Sequence, residues 1–281
     1  MEKVSVIMPC YNDGQYIREA IDSVKNQTYP NIEIVVIDDG SDDPKTCQIL
    51  DELVGEVCLL KSKHLRPAGA RNLGIQNATG KYILPLDSDD KIDATYIEKC
   101  VNVLKDNEKI GAVYCYADLF GEKSGEWDLP RYSFKRMLVD NIVFVTAMFR
   151  KEDWEKVGGF DTDMDSGMED YAFWISILAL GKEIYQIPET LFHYRIKKTS
   201  RTTEFLKDME QAKDIYRRIY YNHQDFYKEH AEEYMIVLRD TLIEQVFYRR
   251  RYDGWAEKLM FIRRIPVFGY LVSLIVKILG V

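Results

Sequence analysis

The stretch Tyr82-Ile83-Leu84-Pro85-Leu86-Asp87-Ser88-Asp89-Asp90 decides the reading of the fold. Tyr82 to Leu86 is a continuous apolar run, the pattern of a strand buried on both faces of a sheet. Carboxylates follow at once. In extended geometry side chains alternate with period 2, so Asp87 and Asp89 are expected on the same side of the sheet edge. Two carboxylates facing the same way repel unless a cation joins them. Hard divalent ions such as Mn²⁺ or Mg²⁺ take one or two carboxylates and complete their shell with phosphate oxygens and water. The competing reading is a solvated acidic turn capping a helix from Ala94, which leaves unexplained why the acids sit directly on a buried strand.

Outward from this strand the same theme repeats. Val4 to Met8, Ile32 to Ile37 and Val57 to Leu60 read as further strands. Gln15 to Asn26, Lys45 to Val54, Ala68 to Ala78 and Ala94 to Asn107 read as the helices between and after them. Strands alternating with helices imply βαβ units and an α/β sheet with helices on both faces. Ligands of such sheets lie at the carboxyl ends of the strands, where the polar clusters fall. Ala112 to Leu119, Val145 to Phe149 and Ile184 to Ile187 are also strand-like, and Gly121 to Ser133 is a loop. Thr203 to Arg251 is helical in pattern, with a loose boundary near Ile196 to Thr203.

A chain of 281 residues can bury a large core without disulfides. Its formal charge of -8 argues against a general nucleic-acid binder. Five scattered cysteines (Cys10, Cys47, Cys58, Cys100, Cys115), none in a C-x-x-C pair, read as buried thiols of a reducing compartment. Met1-Glu2-Lys3 leads straight into a strand, so the expectation is a cytosolic protein.

Four more clusters carry polar groups. Pro9 closes the first strand, and Tyr11 and Asn12 after it could stack on and hydrogen-bond a base, or simply pack. Asp38-Asp39-Gly40-Ser41 ends the second strand and suits a ribose or base contact, or a turn and helix N-cap. Arg71-Asn72 follows small residues near a helix N-terminus, which suits an anionic oxygen, or is a surface arginine. Glu169-Asp170 opens an apolar helix holding Phe173 and Trp174; a carboxylate there is a dipole partner or a general base for a hydroxyl. His193, alone, is more often structural than a ligand.

Taken together the motifs resemble the inverting family-2 glycosyltransferases of the GT-A fold. They are Val6-Ile7-Met8-Pro9-Cys10-Tyr11-Asn12, Ile37-Asp38-Asp39-Gly40-Ser41, Ala70-Arg71-Asn72, Leu86-Asp87-Ser88-Asp89-Asp90, Gly158-Gly159-Phe160-Asp161, Glu169-Asp170, Ile187-Pro188-Glu189 and His193-Tyr194-Arg195. The resemblance covers roughly Val4 to Arg195. It implies a Rossmann-like GT-A mixed sheet flanked by helices over 1–200, with a nucleotide-sugar half at 1–110 and an acceptor half at 111–200. A helical carboxyl-terminal region at 201–281 follows. It further implies donor contacts at Pro9, Tyr11, Asn12, Asp39, Arg71, Asp87 and Ser88, with Tyr11 and Asp39 on a uridine. Asp89 and His193 would hold Mn²⁺ or Mg²⁺, Asp170 would be the base, and Glu169 and Trp174 would face the acceptor. The implied donor is a nucleotide diphosphate sugar, and the acceptor a glycan or lipid-linked glycan.

Two rivals remain open: a nucleotidyltransferase and a non-catalytic nucleotide-sugar sensor. A nucleotidyltransferase would be expected to carry a glycine- and lysine-rich loop where Tyr11-Asn12-Asp13-Gly14 stands. Neither G-x-x-x-x-G-K-[ST] nor G-x-G-x-x-G occurs, against P-loop and dinucleotide enzymes. At the other end, Arg249-Arg250-Arg251, Lys258 and Arg263-Arg264 precede the apolar Pro266 to Val281. As a helix that stretch would be roughly 24 Å long, short of the ~30 Å hydrocarbon core. The expectation for 249–281 is peripheral contact with the inner face of the cell membrane, the alternative being packing on the protein itself or on a second subunit.

Overall fold

The computed structural model describes residues 1–164, 167–198 and 208–263. The β-branched run at the amino terminus forms β1 (Val4–Cys10), whose Val4, Val6, Ile7 and Met8 are wholly buried. A strand covered on both faces has no use for polar alternation. β2 (Ile32–Asp38) and β4 (Tyr82–Pro85) flank β1 in parallel, and β3 (Cys58–Lys61) pairs parallel to β2. The helices α1 (Gly14–Lys25), α2 (Pro44–Glu52) and α3 (Arg66–Asn77) join them. α3 lies close on the sheet because Gly74 lets it. A Cβ there would come within 2.6 Å of both Ile7 Cγ2 and Ile37 Cδ1.

The second half makes the sheet mixed. Along the chain come β5 (Lys91–Ile92), α4 (Tyr96–Asp106), β6 (Ile110–Gly121), β7 (Gly125–Glu126) and α5 (Phe134–Met137). They are followed by β8 (Met148–Arg150), α6 (Lys151–Val157), α7 (Glu169–Ala179) and β9 (Glu183–Ile196). The spatial order is β3-β2-β1-β4-β8-β6-β9-β5, with β7 on β6. β8 runs antiparallel to both β4 and β6, and so couples the two halves.

Three departures from the sequence reading have physical causes. First, β4 ends at Pro85. Residues 87–90 form a turn closed by Asp90 N donating to Asp87 O at 3.1 Å, so strand parity does not set the directions of Asp87 and Asp89. Second, β9 runs straight through Pro188. Ile187 pairs with Cys115 and Thr190 with Tyr116, so Pro188 and Glu189 bulge out where a missing N–H does no harm. Third, α8 (Met209–Asn222) and α9 (Gln224–Glu229) belong to the compact unit Met1–Glu229, and a second unit begins at His230. Arg218 Nη2 reaches Asp163 Oδ2 at 2.6 Å, and the Phe226 and Phe134 rings meet at 6.2 Å, which holds α8 and α9 to the sheet unit.

In the second unit, α10 (Ala231–Arg263) exposes Met235, Leu242 and Phe247. Among the described residues no helix is long and apolar enough to cross a membrane. The tail Pro266 to Val281 lies outside the described residues. All five cysteines are free; Cys10, Cys100 and Cys115 are buried as expected, whereas Cys58 is exposed.

Trp174 sits in the aromatic core, not on an acceptor face. It is 0% exposed, its indole N–H donates to Val143 O at 3.0 Å, and Phe173 and Phe149 lie against it. About three turns of mostly apolar residues in α7 bury most sides of that helix, and the ring is carried in with them. Trp174→Ala should therefore lower the unfolding free energy by about 3–5 kcal/mol, read as a fall in the urea midpoint. A variant with the wild-type midpoint and an altered acceptor KM would return Trp174 to the acceptor side.

Candidate active site at the carboxyl edge of the sheet

The loops after β1, β2 and β4 converge at one edge. Asn12 joins the first two. Its Oδ1 accepts from Asp42 N and Asp43 N, both at 3.0 Å, while its Nδ2 donates to Asp42 Oδ1 at 2.7 Å. The left-handed Asn12 backbone (φ 56°) is held by that set. Next to it Tyr11 projects outward, 43% exposed, and its ring centroid lies 4.2 Å from that of His64. Asp39 is buried beneath them. Its Oδ1 accepts from Ser62 Oγ and Leu65 N, both at 2.6 Å, and its Oδ2 faces His64 Nδ1 at 3.8 Å. An aromatic pair above a fixed carboxylate is a shelf for a flat, hydrogen-bonding ring.

The acidic turn is neutralised from two directions. Arg71 on α3 is 2% exposed; its Nη2 donates to Asp87 Oδ1 at 2.7 Å and its Nη1 to Glu169 Oε1 at 2.8 Å. Burial works against that guanidinium charge, but the two carboxylates outweigh it and raise its pKa. Its Nε is buried and has no hydrogen-bond partner among the described residues. Lys197, just past β9, donates to Asp89 Oδ2 and is equally close to Asp13 Oδ2, 2.8 Å in each case. Burial and the Asp87 charge still raise the Asp89 pKa, with Lys197 opposing them. Asp90, buried, accepts from Arg195 N at 2.8 Å, and Arg195 Nε donates to Asp89 O at 2.7 Å.

One residue beyond Glu169 stands Asp170, in the first turn of α7. Its Oδ1 accepts from Tyr171 N at 2.8 Å. Burial, then the neighbouring Glu169 charge, push its carboxyl up to about 6, although Arg71, Tyr171 N and Asn141 pull the other way. The left-handed Met168 (φ 65°) turns the chain sharply into the helix at this point. Asn72 braces the same corner. It accepts from Trp154 Nε1 at 3.1 Å and Phe160 N at 2.9 Å, and donates to Phe160 O at 2.8 Å. A separate cavity of about 420 Å³, lined by Val24, Tyr29, Ile34 and Val57, opens at the amino ends of β2 and β3, far from this chemistry.

The sequence profile of Glycosyl transferase family 2 matches residues 5–160. The chain belongs to this family. It is 32% identical over 251 residues to an uncharacterized glycosyltransferase of Rickettsia prowazekii, a match covering 85% of this chain and 76% of that protein. Among solved structures it resembles Staphylococcus aureus TarS residues 1–349 in complex with UDP (TM-score 0.58, 20% identity, 80% of this chain, 71% of that one). It also resembles the mannosyltransferase PcManGT of Pyrobaculum calidifontis in complex with GDP-Man and Mn²⁺ (TM-score 0.58, 21% identity, 90% and 83%). At these identities the two structures speak for the fold, which is a GT-A mixed sheet flanked by helices.

In this family-2 glycosyltransferase the motif residues gather, and several of them also bond within the protein. Arg71 is held by Asp87 and Glu169, so its charge is already compensated. Glu169, buried, is the second anchor of that guanidinium. Asn12 ties loop to loop, Ser88 is buried and hydrogen-bonds the Cys10 thiol, and Pro9 is a half-buried member of β1 paired with Ile37. Of the donor contacts, Tyr11 and Asp87 open to solvent. β9 runs antiparallel to β5 with His193 opposite Lys91, so the residue two further on, Arg195, meets Asp89. His193 Nδ1 instead lies 2.6 Å from Asp118 Oδ1, its register partner on β6. Among the described residues no three His, Cys, Asp or Glu side chains gather as a metal cage. Asp13, His64 and Lys197 were missed. Asp13 directly follows the Tyr11-Asn12 motif, and Lys197 shares alternate positions with His193 and Arg195.

Arg71→Met should cost about 3–5 kcal/mol, because Glu169 would remain as an uncompensated buried charge. Adding Glu169→Gln should recover part of that loss. Denaturant unfolding of the four proteins of the cycle checks the coupling, and strictly additive effects would show there is none.

Proposed function

We propose that this glycosyltransferase inverts configuration as it moves a sugar from a UDP-sugar to a hydroxyl of a glycan or lipid-linked glycan. The observation that carries the reading is the chain of contacts Asp87–Arg71–Glu169, which ties the donor edge to the residue beside Asp170. It supports a base held at a fixed distance from the acidic turn. Tyr11 and His64 supply a face for the uracil, and Asp39 a carboxylate beneath it; the UDP in the TarS structure supports the same base. Asp87, partly exposed, would meet the ribose and sugar hydroxyls.

The donor chemistry fits a divalent ion. Asp13 and Asp89 already direct hard carboxylate oxygens at one positive charge, and Mg²⁺ or Mn²⁺ accepts such oxygens together with phosphate. Asp89 would hold the ion, with His193 as the second candidate ligand, its Nδ1 held by Asp118. When bound, the ion offsets charge on the leaving diphosphate. Asp170 takes the proton of the acceptor hydroxyl as the hydroxyl oxygen attacks the anomeric carbon and the diphosphate departs on the opposite face. A carboxyl raised to about 6 is a better proton acceptor than an ordinary aspartate and is still ionised at neutral pH. The basic and apolar run 249–281 supports contact with an anionic membrane surface that would carry a lipid-linked acceptor. Flotation with anionic vesicles tests this, since a chain cut before Pro266 that still binds them in a salt-sensitive way would clear the tail of that role.

Asp170→Asn should lower transfer by about 10²–10⁴-fold and leave donor binding nearly unchanged, measured as UDP release and by titration with UDP. The base acts only when deprotonated. Wild-type kcat/KM should therefore rise with pH through about 6 and level off above it, and the residual activity of the variant should lack that limb. A variant that loses donor affinity at full turnover would make Asp170 a binding residue.

A further inference from the structure

Lys197 has no part in the motifs, yet its ammonium stands between the loops after two neighbouring parallel strands, β1 and β4. It lies 2.8 Å from Asp13 Oδ2 and 2.8 Å from Asp89 Oδ2. The lysine side chain keeps 25% of its exposure, so two charges hold it rather than close packing. The Tyr16 ring flanks it at 5.8 Å. Its backbone is fixed more firmly than its tip. Arg195, two residues earlier, is bonded to Asp90 and to Asp89 O, stacks on Tyr16 and Phe120 at 4.4 and 4.2 Å, and pairs with Glu19. A flexible stem on a fixed base lets the ammonium turn while β9 stays in place.

We propose that Lys197 is a tethered competitor of the divalent ion for Asp89, released when the nucleotide arrives. This inference rests on the reading of Asp89 as the metal ligand. Two cations cannot share one partly buried carboxylate without strong mutual repulsion, so the free protein binds the ion weakly. The diphosphate offers the ammonium a second anionic partner close by. Once Lys197 turns to it, Asp89 is open. Ion and nucleotide therefore load together, each raising the affinity for the other as linkage demands. Lys197 thus offsets negative charge in both states, that of Asp13 and Asp89 before the nucleotide arrives and that of the diphosphate afterwards.

The test is Mn²⁺ binding, followed by the loss of the free-ion EPR signal, for the full chain and its Lys197→Gln and Lys197→Arg variants, with and without UDP. Without UDP, Lys197→Gln should bind Mn²⁺ about tenfold tighter than wild type, a difference of about 1.4 kcal/mol. Lys197→Arg, which keeps the charge, should stay at or below wild type. UDP should raise the Mn²⁺ affinity of wild type more than that of Lys197→Gln. If Lys197→Gln fails to fold, Lys197→Met removes the same charge and takes its place. Nucleotide-free affinity in the charge-removing variant equal to or weaker than wild type overturns the role of Lys197. If wild type binds no Mn²⁺ even with UDP, the metal reading itself falls and takes the competition with it. Binding by wild type with UDP, and no gain in the variant without it, removes Lys197 alone.

Discussion

The link between the acidic turn and the start of α7 depends on one buried guanidinium. Arg71 reaches Asp87 in one direction and Glu169 in the other, residues 16 and 98 positions away in the chain. Glu169 would not sit where it does without it, because a buried carboxylate with no counter-charge takes up a proton or moves to water; Asp87, partly exposed, is drawn to the same guanidinium. Through Arg71 the end of β4, the second turn of α3 and the first turn of α7 become one rigid corner. Asn72, the next residue, fixes the 158–160 loop to the same helix. Neighbouring positions on α3 thus hold the acidic turn and the start of α7 together.

The corner also explains how so many acids coexist. Asp13, Asp87, Asp89 and Asp90 crowd the ends of β1 and β4, and each has a defined partner. Arg71 meets Asp87; Lys197 meets Asp13 and Asp89; the Arg195 backbone meets Asp90. The partners come from α3 and from the end of β9, so the acidic turn is framed by elements on both sides of it. The compensation is incomplete: burial and mutual repulsion still raise the pKa of Asp89 and of Asp90.

The parallel half of the sheet was legible because hydrophobic runs such as Ile34 to Ile37 permit few other readings. β1, β2, β4 and α1 lie within a few residues of where periodicity puts them. β9 was seen only in part, since Pro188 is a strand breaker unless a bulge receives it, and bulges depend on the partner strand. The site was legible as a set of motifs and not as a set of contacts. Arg71 looks like an anion binder from its helix position, but only tertiary structure brings Glu169 to it. The place of His193 is a matter of register: it pairs with Lys91, so Arg195 stands opposite Asp89, and no pattern within 183–197 discloses that offset. The place of Asp170 in the first turn of an apolar helix, by contrast, was legible from the run that follows it.

Gly74 touches no charged group, yet it governs them. With a Cβ at that position α3 could not rest on Ile7 and Ile37, and the helix would have to lift from the sheet. Arg71 lies one turn earlier on the same helix and would be carried away from two acids that do not move with it. A genetic screen for lost glycosyl transfer would then return a glycine in the hydrophobic interior alongside the aspartates. Its phenotype would resemble that of a missing catalytic group, and a second-site suppressor would be sought among the isoleucines beneath it.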